Sequence, residues 1–469
     1  MQRHVLIPLI VACALFMENM DSTVLSTSLP AIAADIGEHP LALKLALTSY
    51  LISLAIFIPI SGWVADRYGS RKIFATAIVV FLGGSLLCAA SGTLASFVLA
   101  RFVQGIGGAM MVPVGRLVLL KSVPRSGLVS ALNYLTIPAL VGPIIGPPLG
   151  GLITQYFNWR GIFLINVPIS IVGLFLVLRH IPDIREEDLP PLDVRGFVML
   201  GFGLAILMLG LSALGGHLLS APYTAASIVV GSGLLLLYAR HARRARAPLI
   251  DLSLAQFPTF RAGVIGGSLF RIGMGATPFL LPLLFQLGFG LDPFHSGLLT
   301  CTSAAGAMFM KTLTVRILKR YGFRQVMIVN ALVASLAVAF YGMFTAQTPN
   351  AVVIVVLVLS GCLRSLQFTS LGAIGFAEIK REMMSQASGA QSMTQRLSQS
   401  LGVAVGAYAL QLSSDLQGHA TIVAADFWPV FIAIAIISAA SVFSCLALAP
   451  DAGAEISGKP SDPRNTTVL

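Results

Sequence analysis

The sequence has 469 residues, of which 56% are hydrophobic and only 10% are Asp, Glu, Lys or Arg. A soluble domain carries roughly 25% charged residues, so this chain has too few charges to cover a water-exposed surface. The composition excludes an ordinary soluble enzyme, and the high hydrophobicity excludes a disordered chain. The formal net charge is +11. Its Lys and Arg residues form short clusters between apolar segments, which is typical of membrane topology and not of a nucleic-acid-binding face.

About fourteen apolar segments are long enough to cross a bilayer, which takes about 20 residues each. Basic residues concentrate in alternate loops, counted from the second loop, whereas the other loops hold little beyond Lys44 and Arg160. Because cytoplasmic loops carry the excess of Lys and Arg, this pattern predicts that both termini are cytoplasmic. The segments lie near 5–30, 44–65, 73–91, 95–117, 127–156, 161–180, 194–214, 221–239, 261–287, 295–317, 325–346, 350–372, 387–412 and 427–449.

Two stretches of the chain resemble each other. Residues 65–72 (ADRYGSRK) and 318–325 (LKRYGFRQ) share an Arg-Tyr-Gly-x-Arg pattern. Internal repeats are a common plan of secondary transporters, so we predict two bundles of about six helices with two further helices between them. The predicted parts are an N-terminal bundle (1–180), an acidic cytoplasmic linker (181–193), two inserted helices (194–239), a basic cytoplasmic loop (240–260), a C-terminal bundle (261–449) and a disordered cytoplasmic tail (450–469).

Two carboxylates, Glu18 and Asp21, lie well inside the first segment. They are three positions apart, so a helix presents both on one face. An ionisable side chain in hydrocarbon costs several kcal/mol unless it is paired or hydrated, and it therefore needs a reason to be there. Two close carboxyls in a medium of low dielectric titrate as a coupled pair, which suits them to bind and release protons. We predict that Asp21, together with Glu18, carries protons; a hydrogen-bond site for helix packing is the alternative.

Cations also occur within the predicted spans. Arg101 lies about 6–10 residues below the outer surface, a depth comparable to that of Asp21. We predict that it pairs with an acid in one conformation and releases it in another, and a static salt bridge is the alternative. Arg271 could meet an anionic group of a substrate or form a structural pair. The candidate substrate cavity consists of Asn19, Gln104, Asn133, Arg271 and Arg396.

The fifth segment contains PALVGPIIGPPLGG (138–151). Its glycines recur every four residues and form a stripe that permits close helix approach. Prolines beside the stripe remove backbone donors and bend the helix. We predict an interface that shears or closes during the transport cycle, with simple close packing as the alternative. The residues of this predicted interface are Gly142, Pro143, Gly146, Pro147, Gly150 and Gly151.

No residue pattern points to a cofactor or a metal. None of the seven histidines lies in the middle of a predicted span, and the five cysteines form no CxxC pair. The sequence also lacks the glycine-rich phosphate-binding motif of ATP-driven pumps. We therefore expect a proton gradient to be the energy source, without a metal site, a cofactor or a catalytic site.

Several of these motifs resemble the major facilitator superfamily. GWVADRYGSRK (62–72) resembles its signature between the second and third helices, and LARFVQGIGGAMM (99–111) resembles its fourth-helix motif. VGPIIGPPLGG (141–151) is similar to the fifth-helix antiporter motif. MDSTVLSTSLP (20–30) and NWRGIFLINVP (158–168) resemble the fourteen-helix drug:proton antiporter branch of the superfamily.

The resemblance implies an all-α membrane protein with the major facilitator fold, built from two six-helix bundles and two extra central helices, and working by alternating access. It implies that Asp21 and Arg101 handle protons. Ser70 departs from the pattern, because the motif often has a basic or small residue there, and Ser26 and Thr27 replace the usual Asn-Val pair. Lys319 replaces the acid of the corresponding latch in the second half of the chain, so that second latch should be weaker or absent. The implied conformational latch on the cytoplasmic side consists of Gly62, Asp66, Arg67, Gly69, Arg71 and Lys72.

We therefore predict a proton-coupled exporter of drugs or toxic compounds in the bacterial inner membrane, with substrate bound near the bilayer midplane between the bundles. The expected partners are the lipid bilayer, a small-molecule substrate and protons, without nucleic acid, and we expect a monomer. Two alternatives remain open. One is an exporter dedicated to a single metabolite or metal chelate. The other is a transport-fold sensor or scaffold that signals through the loop at 240–261.

Overall fold

The computed structural model describes residues 3–122, 128–186, 189–214, 220–380 and 383–457. Within these ranges the regular structure is helical throughout, as expected of apolar segments that must satisfy their backbone hydrogen bonds internally. Twelve helical segments of the described chain are long and apolar enough to cross a membrane. Two further long helices, Leu128–Tyr156 and Met384–Gln417, occupy the two remaining predicted segments. The all-α membrane fold is thus confirmed, and the count of fourteen crossings stays a prediction.

The helices follow the predicted segments closely in chain order. The long helices of the first half are α1 (Arg3–Ile36), α2 (Lys44–Tyr68), α3 (Ser70–Ala90), α4 (Leu94–Ser122), α5 (Leu128–Tyr156), a short α6 (Gly161–Leu164) continued by α7 (Asn166–His180), α8 (Val194–Ala213) and α9 (Ala221–Ala242). The second half contains α10 (Pro258–Phe260), a π-helical turn (Arg261–Gly266), α11 (Gly267–Leu283), α12 (Pro293–Tyr321), α13 (Phe323–Tyr341), α14 (Asn350–Ile374), α15 (Met384–Gln417), α16 (Phe427–Ala439), α17 (Val442–Leu446) and α18 (Ala454–Ser457).

The chain folds into two compact units. The first unit comprises Met1–Leu249 and Leu281–Cys301, and the second comprises Ile250–Leu280 and Thr302–Leu469. In the first unit α1 packs along α5 and also contacts α4 and α7, while α3 and α2 pack against α4. The two helices that the sequence predicts as an insertion, α8 and α9, pack on each other, and α8 contacts α2. The first unit therefore places α1 among several neighbours, which buries most of its side chains.

The internal repeat of the sequence corresponds to a repeated local structure. One residue, Gly69, joins α2 to α3 with φ 101°, and Gly322 joins α12 to α13 with φ 79°. Only glycine adopts positive φ values without a steric penalty. The recurring Tyr-Gly pair thus marks a tight junction between consecutive long helices in both halves of the chain.

The end of the chain differs in part from the predicted disordered tail. The polar composition predicts disorder from residue 450, whereas the structure contains the short helix Ala454–Ser457. Gly453 precedes it with φ 74° and lies close to the side chains of Phe323 and Ile374. These apolar side chains give the start of the tail a surface to pack on, and disorder of the tail as a whole stays a prediction. Residues 458–469 lie outside the described residues.

Candidate functional site

The carboxylates of α1 lie in the protein interior. Glu18 is 1% exposed and Asp21 is 3% exposed. Helix α1 brings them there because α4, α5 and α7 of the same unit surround this part of it. Their side chains therefore face protein and not the lipid headgroups, as a role inside the membrane requires.

Asp21 forms a buried ion pair with Arg101 of α4. Nη1 of Arg101 donates to Oδ2 of Asp21 at 2.7 Å. The guanidinium also stacks on the ring of Tyr50 from α2, with its Cζ 4.3 Å from the ring centre. A cation over an aromatic face gains electrostatic energy, most of all where water is excluded. The predicted partner of Arg101 is thus found, and a change of partner during transport stays a prediction.

Gln104 connects both members of this pair. It follows Arg101 by one turn of α4, so its amide reaches the same point in the unit. Its Nε2 donates to Oδ1 of Asp21 at 2.8 Å, and its Oε1 accepts from Nη1 of Arg101 at 2.5 Å. Gln104 is fully buried. Its sequence position predicts a place in the substrate cavity, whereas its hydrogen bonds go to the ion pair.

Two residues that sequence reasoning missed complete the network. Nδ2 of Asn166 in α7 donates to Oδ1 of Asp21 at 2.9 Å and to Oγ of Ser85 in α3 at 2.9 Å. Ser85 Oγ also accepts from Nε2 of Gln104 at 2.7 Å. Both residues are fully buried. The available signal was an isolated polar residue in an apolar span, because such a group needs a partner in the membrane.

Asn166 begins α7, directly after a break in the helical hydrogen-bond pattern of the sixth membrane segment. Pro168 has no backbone N–H, so the carbonyl four residues earlier, on Leu164, has no intrahelical donor. Helix α6 ends at Leu164 and α7 begins at Asn166. The amide of Asn166 therefore extends from the first turn after the break, and it reaches Asp21 across 145 positions of sequence.

The resulting site holds one carboxylate, one guanidinium and three neutral polar groups in a region without exposed side chains. Both oxygens of Asp21 accept hydrogen bonds from the charged or amide donors. In a low-dielectric interior such bonds are strong, and an unmatched charge there is expensive. The arrangement provides hydrogen-bond donors to both oxygens of the carboxyl group. These residues, which we call the Asp21 network, are Asp21, Ser85, Arg101, Gln104 and Asn166.

The predicted glycine stripe of α5 packs against α1. A methyl group at Gly142 would lie 3.1 Å from the backbone nitrogen of Met20, and one at Gly150 would lie 2.9 Å from Oγ1 of Thr27 and overlap the carbonyl of Val24. Close packing is thus present along the stripe, and movement at this interface stays a prediction. Gly146 also contacts α1, through Thr23, whereas Gly151 lies against Pro293 and Phe294. The backbone carbonyl of Pro147 accepts a hydrogen bond from Thr27, and Pro143 is half-buried.

The residues of the implied conformational latch lie around the junction of α2 and α3. Among them Asp66 and Gly62 are half-buried and Gly69 is buried, while the basic side chains at positions 67, 71 and 72 are exposed. Ser70 is fully buried, and the linker that follows α7 lies on it. The backbone of Ser70 donates to the carbonyl of Ile184 at 3.0 Å, and the amide of Ile184 donates to Oγ of Ser70 at 3.2 Å. The departure from the family motif at this position therefore serves contact with the linker.

The other candidate cavity residues do not join the Asp21 network. Asn19 is half-buried and donates to the carbonyl of Leu15 in its own helix at 2.8 Å. Arg271 of the second unit is 1% exposed, and its Nη1 donates to the carbonyls of Gly263 and Val264 at 3.1 and 3.3 Å. Those carbonyls belong to the π-helical turn before α11, where the altered hydrogen-bond pattern leaves room for a side-chain donor. Arg396 is half-buried on α15, and the side chain of Asn133 lies outside the described residues.

No group of three or more His, Cys, Asp or Glu side chains is arranged to hold a metal ion in the described part of the chain. The side chains of the Asp21 network are also a poor donor set for a metal, because Arg101 occupies the carboxylate. The network is thus a buried ion pair held by neutral hydrogen-bonding groups, and its role in proton binding stays a prediction.

Comparisons with known proteins agree with this fold. The family model of the Major Facilitator Superfamily matches residues 11–403 and, in an overlapping match, 264–464. A protein of Klebsiella pneumoniae (strain 342), described as "Putative multidrug resistance protein MdtD", is 39% identical over 424 residues, which cover 90% of this chain and 89% of that protein. The protein of the same description from Escherichia coli (strain SMS-3-5 / SECEC) is 40% identical over 403 residues, or 86% of this chain and 85% of that protein.

A solved structure shows the same fold at much lower sequence identity. The D-xylose-proton symporter superposes with a TM-score of 0.66 at 14% identity, covering 94% of this chain and 96% of that chain. The family match spans the motifs around Asp66 and Arg101 as well as the Asp21 network. The chain therefore belongs to the Major Facilitator Superfamily and is a membrane transporter, not an enzyme.

Proposed function

We propose that this transporter is a proton-coupled exporter of drugs or toxic small molecules, with Asp21 as the proton carrier. The observation that carries the proposal is the ion pair of Asp21 and Arg101, which is 2.7 Å long and almost completely buried. A charge pair in a membrane interior is expensive to maintain, and such residues mark proton pathways in pumps and transporters. The description of the MdtD relatives as multidrug resistance proteins supports export of drugs.

The geometry supports a simple switch. When Asp21 is ionised, Arg101 and two amides bind its oxygens and hold α1 to α4 and α7. Arg101 keeps its charge at any physiological pH, so a proton on Asp21 removes the attraction without removing the cation. Such a change in charge biases an equilibrium between two conformations. The proton gradient then supplies the energy, and no cofactor is needed.

The proposed location is the bacterial inner membrane, with both termini in the cytoplasm. Relatives from Klebsiella pneumoniae and Escherichia coli support the bacterial membrane. The clustering of basic residues in alternate loops supports the orientation of the termini. We also propose that the protein acts as a monomer with protons and a small molecule as its substrates.

Export of a fluorescent drug by energised inverted membrane vesicles tests the proposal. Asp21→Asn keeps the size of the side chain but cannot release a proton, so we expect uphill export to be lost over the whole pH range. Asp35→Asn is the matched control, because Asp35 lies on the same helix in a partly exposed pair with Arg160. Asp35→Asn should export like the parent protein. Uphill export by Asp21→Asn at the parental rate and with the parental pH profile would refute the assignment.

Export of an anionic metabolite or metal chelate is the second candidate. Arg271 favours this candidate. Among the described residues, the hydrogen bonds of its buried guanidinium go to neutral backbone carbonyls. A cation without a carboxylate beside it attracts anions. Metabolite profiling of a deletion strain distinguishes the candidates: one accumulated anion supports the metabolite exporter, and sensitivity to many toxic compounds supports the drug exporter.

A further inference from the structure

The two amides of the Asp21 network bind a different carboxylate oxygen from the one that Arg101 binds. Arg101 donates to Oδ2, whereas Gln104 and Asn166 both donate to Oδ1. Both Nδ2 protons of Asn166 are used, one toward Asp21 and one toward Ser85. Ser85 therefore fixes the orientation in which the amide presents its N–H groups and not its carbonyl oxygen to the carboxylate.

This asymmetry determines where a proton can bind. A proton on Oδ1 would point at two N–H donors, and both hydrogen bonds would be lost at once. A proton on Oδ2 instead replaces the hydrogen bond from Nη1 of Arg101 and leaves the two amide bonds intact. Leaving buried donors without acceptors is expensive, so the amides favour Oδ2 as the site of protonation.

We propose that Asn166, oriented by Ser85, is a positioning residue that directs the incoming proton to Oδ2 of Asp21 and thereby forces Arg101 to leave. The inference rests on the proposed role of Asp21 as proton carrier. In this step the proton bonds to a lone pair of Oδ2, the hydrogen bond from Nη1 of Arg101 to Oδ2 breaks, and no other bond changes. Each proton taken up is then linked to the release of the ion pair.

Other titratable groups near the carboxyl come from α1 itself and from two neighbouring helices. Glu18 precedes Asp21 by one turn of α1, Tyr50 of α2 lies under the guanidinium of Arg101, and Sγ of Cys88 in α3 is 3.8 Å from Oε1 of Gln104. Helix α5 meets this part of α1 through its glycine stripe. Gln104 and Asn166 both donate to Oδ1, so these two amides set the orientation of the carboxylate.

The test is the pH profile of export together with the number of protons moved per drug molecule. Asn166→Leu keeps the branched shape of the side chain but has no side-chain N–H, so it removes one hydrogen bond to a charged group and frees Oδ1 for a proton. We expect the pH midpoint of export to shift upward by about one to two units, the equivalent of one such bond. A proton on Oδ1 leaves Arg101 in place, so proton movement should also increase relative to drug export.

Ser85→Ala and Asn330→Leu complete the experiment. Ser85→Ala removes a single oxygen, which keeps the test valid if Asn166→Leu fails to fold, and it should shift the profile in the same direction by a smaller amount. Asn330 is the matched control, because its amide is buried in the second unit and bonds Gln367 and a backbone carbonyl, not a carboxylate. Asn330→Leu should leave the pH midpoint unchanged.

The outcomes separate this inference from the proposed function. If Asp21→Asn abolishes uphill export while Asn166→Leu and Ser85→Ala keep the parental midpoint and proton ratio, the positioning role is wrong and the proton carrier stands. If Asp21→Asn exports like the parent, the proposed function itself fails. A uniform loss of transport without a shift of the midpoint would show that Asn166 has only a structural role, which also overturns the inference.

Discussion

Replacing Arg101 by leucine would leave the Asp21 carboxylate in the protein interior without its counterion. The two side chains are 1% and 2% exposed and their ion pair is 2.7 Å long, so water has no room to replace the guanidinium. Breaking a buried pair by removing one partner costs roughly 3–5 kcal/mol. We therefore expect Arg101→Leu to lower the free energy of unfolding by that amount near neutral pH.

The size of this loss depends on pH, because the remaining carboxylate can take up a proton. Protonating a carboxyl above its pKa costs about 1.4 kcal/mol per pH unit, and an aspartate in water has a pKa of about 3.9. The loss of unfolding free energy cannot exceed this cost of protonation, because the variant can take up a proton instead of keeping the unpaired charge. The upper limit is therefore about 5 kcal/mol at about pH 7.5 and about 2 kcal/mol at about pH 5.5. The folded variant binds more protons than its unfolded chain, so its stability falls as the pH rises.

Two further variants serve as controls in the same assay, equilibrium unfolding in detergent micelles at both pH values. Asp21→Asn leaves Arg101 charged at either pH, so its loss should not depend on pH. The double variant Asp21→Asn/Arg101→Leu removes both charges and should recover most of the stability. A loss below about 1 kcal/mol for Arg101→Leu, typical of an exposed pair, or an equal loss at both pH values would refute the reasoning.

Two further predictions concern packing around the Asp21 network and the linker. Gly150→Val should lower the melting temperature and reduce the free energy of unfolding by roughly 1–3 kcal/mol, because the valine side chain would overlap α1. Gly233→Val is the control, since its side chain would meet open space and should leave the stability unchanged. Equal melting temperatures of the two variants would contradict close packing of α1 on α5. Ser70→Ala should speed proteolysis of the linker several-fold, because it removes the acceptor for Ile184. Ser227→Ala, whose hydroxyl bonds its own helix, should not change the cleavage rate, and equal rates in both variants would contradict a linker held by Ser70.

The sequence was a good guide to elements whose cause is local. Apolar segments of membrane length became helices because their backbone groups have no other partners in lipid. The junction at Gly69 was visible from its repeat at Gly322, because a positive φ between two helices requires glycine. Asp21 and Arg101 were visible as candidates, because a charge in an apolar span is too expensive to occur without a partner or a function.

Partnerships between distant helices could not be predicted in the same way. The periodicity of a helix shows which residues share a face, but not which helix that face meets. Asn166 meets Asp21 only because the packing of α7 on α1 brings them together. Arg271 was read as a candidate substrate contact, and the π-helical turn that supplies carbonyls to it has no signature in the residues before it.

The sequence by itself determined that this chain is a helical membrane protein with a few costly charges, since hydrophobicity and the price of burying charge act residue by residue. Tertiary structure alone decided how those charges are satisfied, namely which oxygen of Asp21 meets Arg101 and which meets the amides. The reason is that a hydrogen bond depends on the positions of two groups within a few tenths of an ångström. Between residues 80 or 145 positions apart, only the packing of complete helices sets such positions.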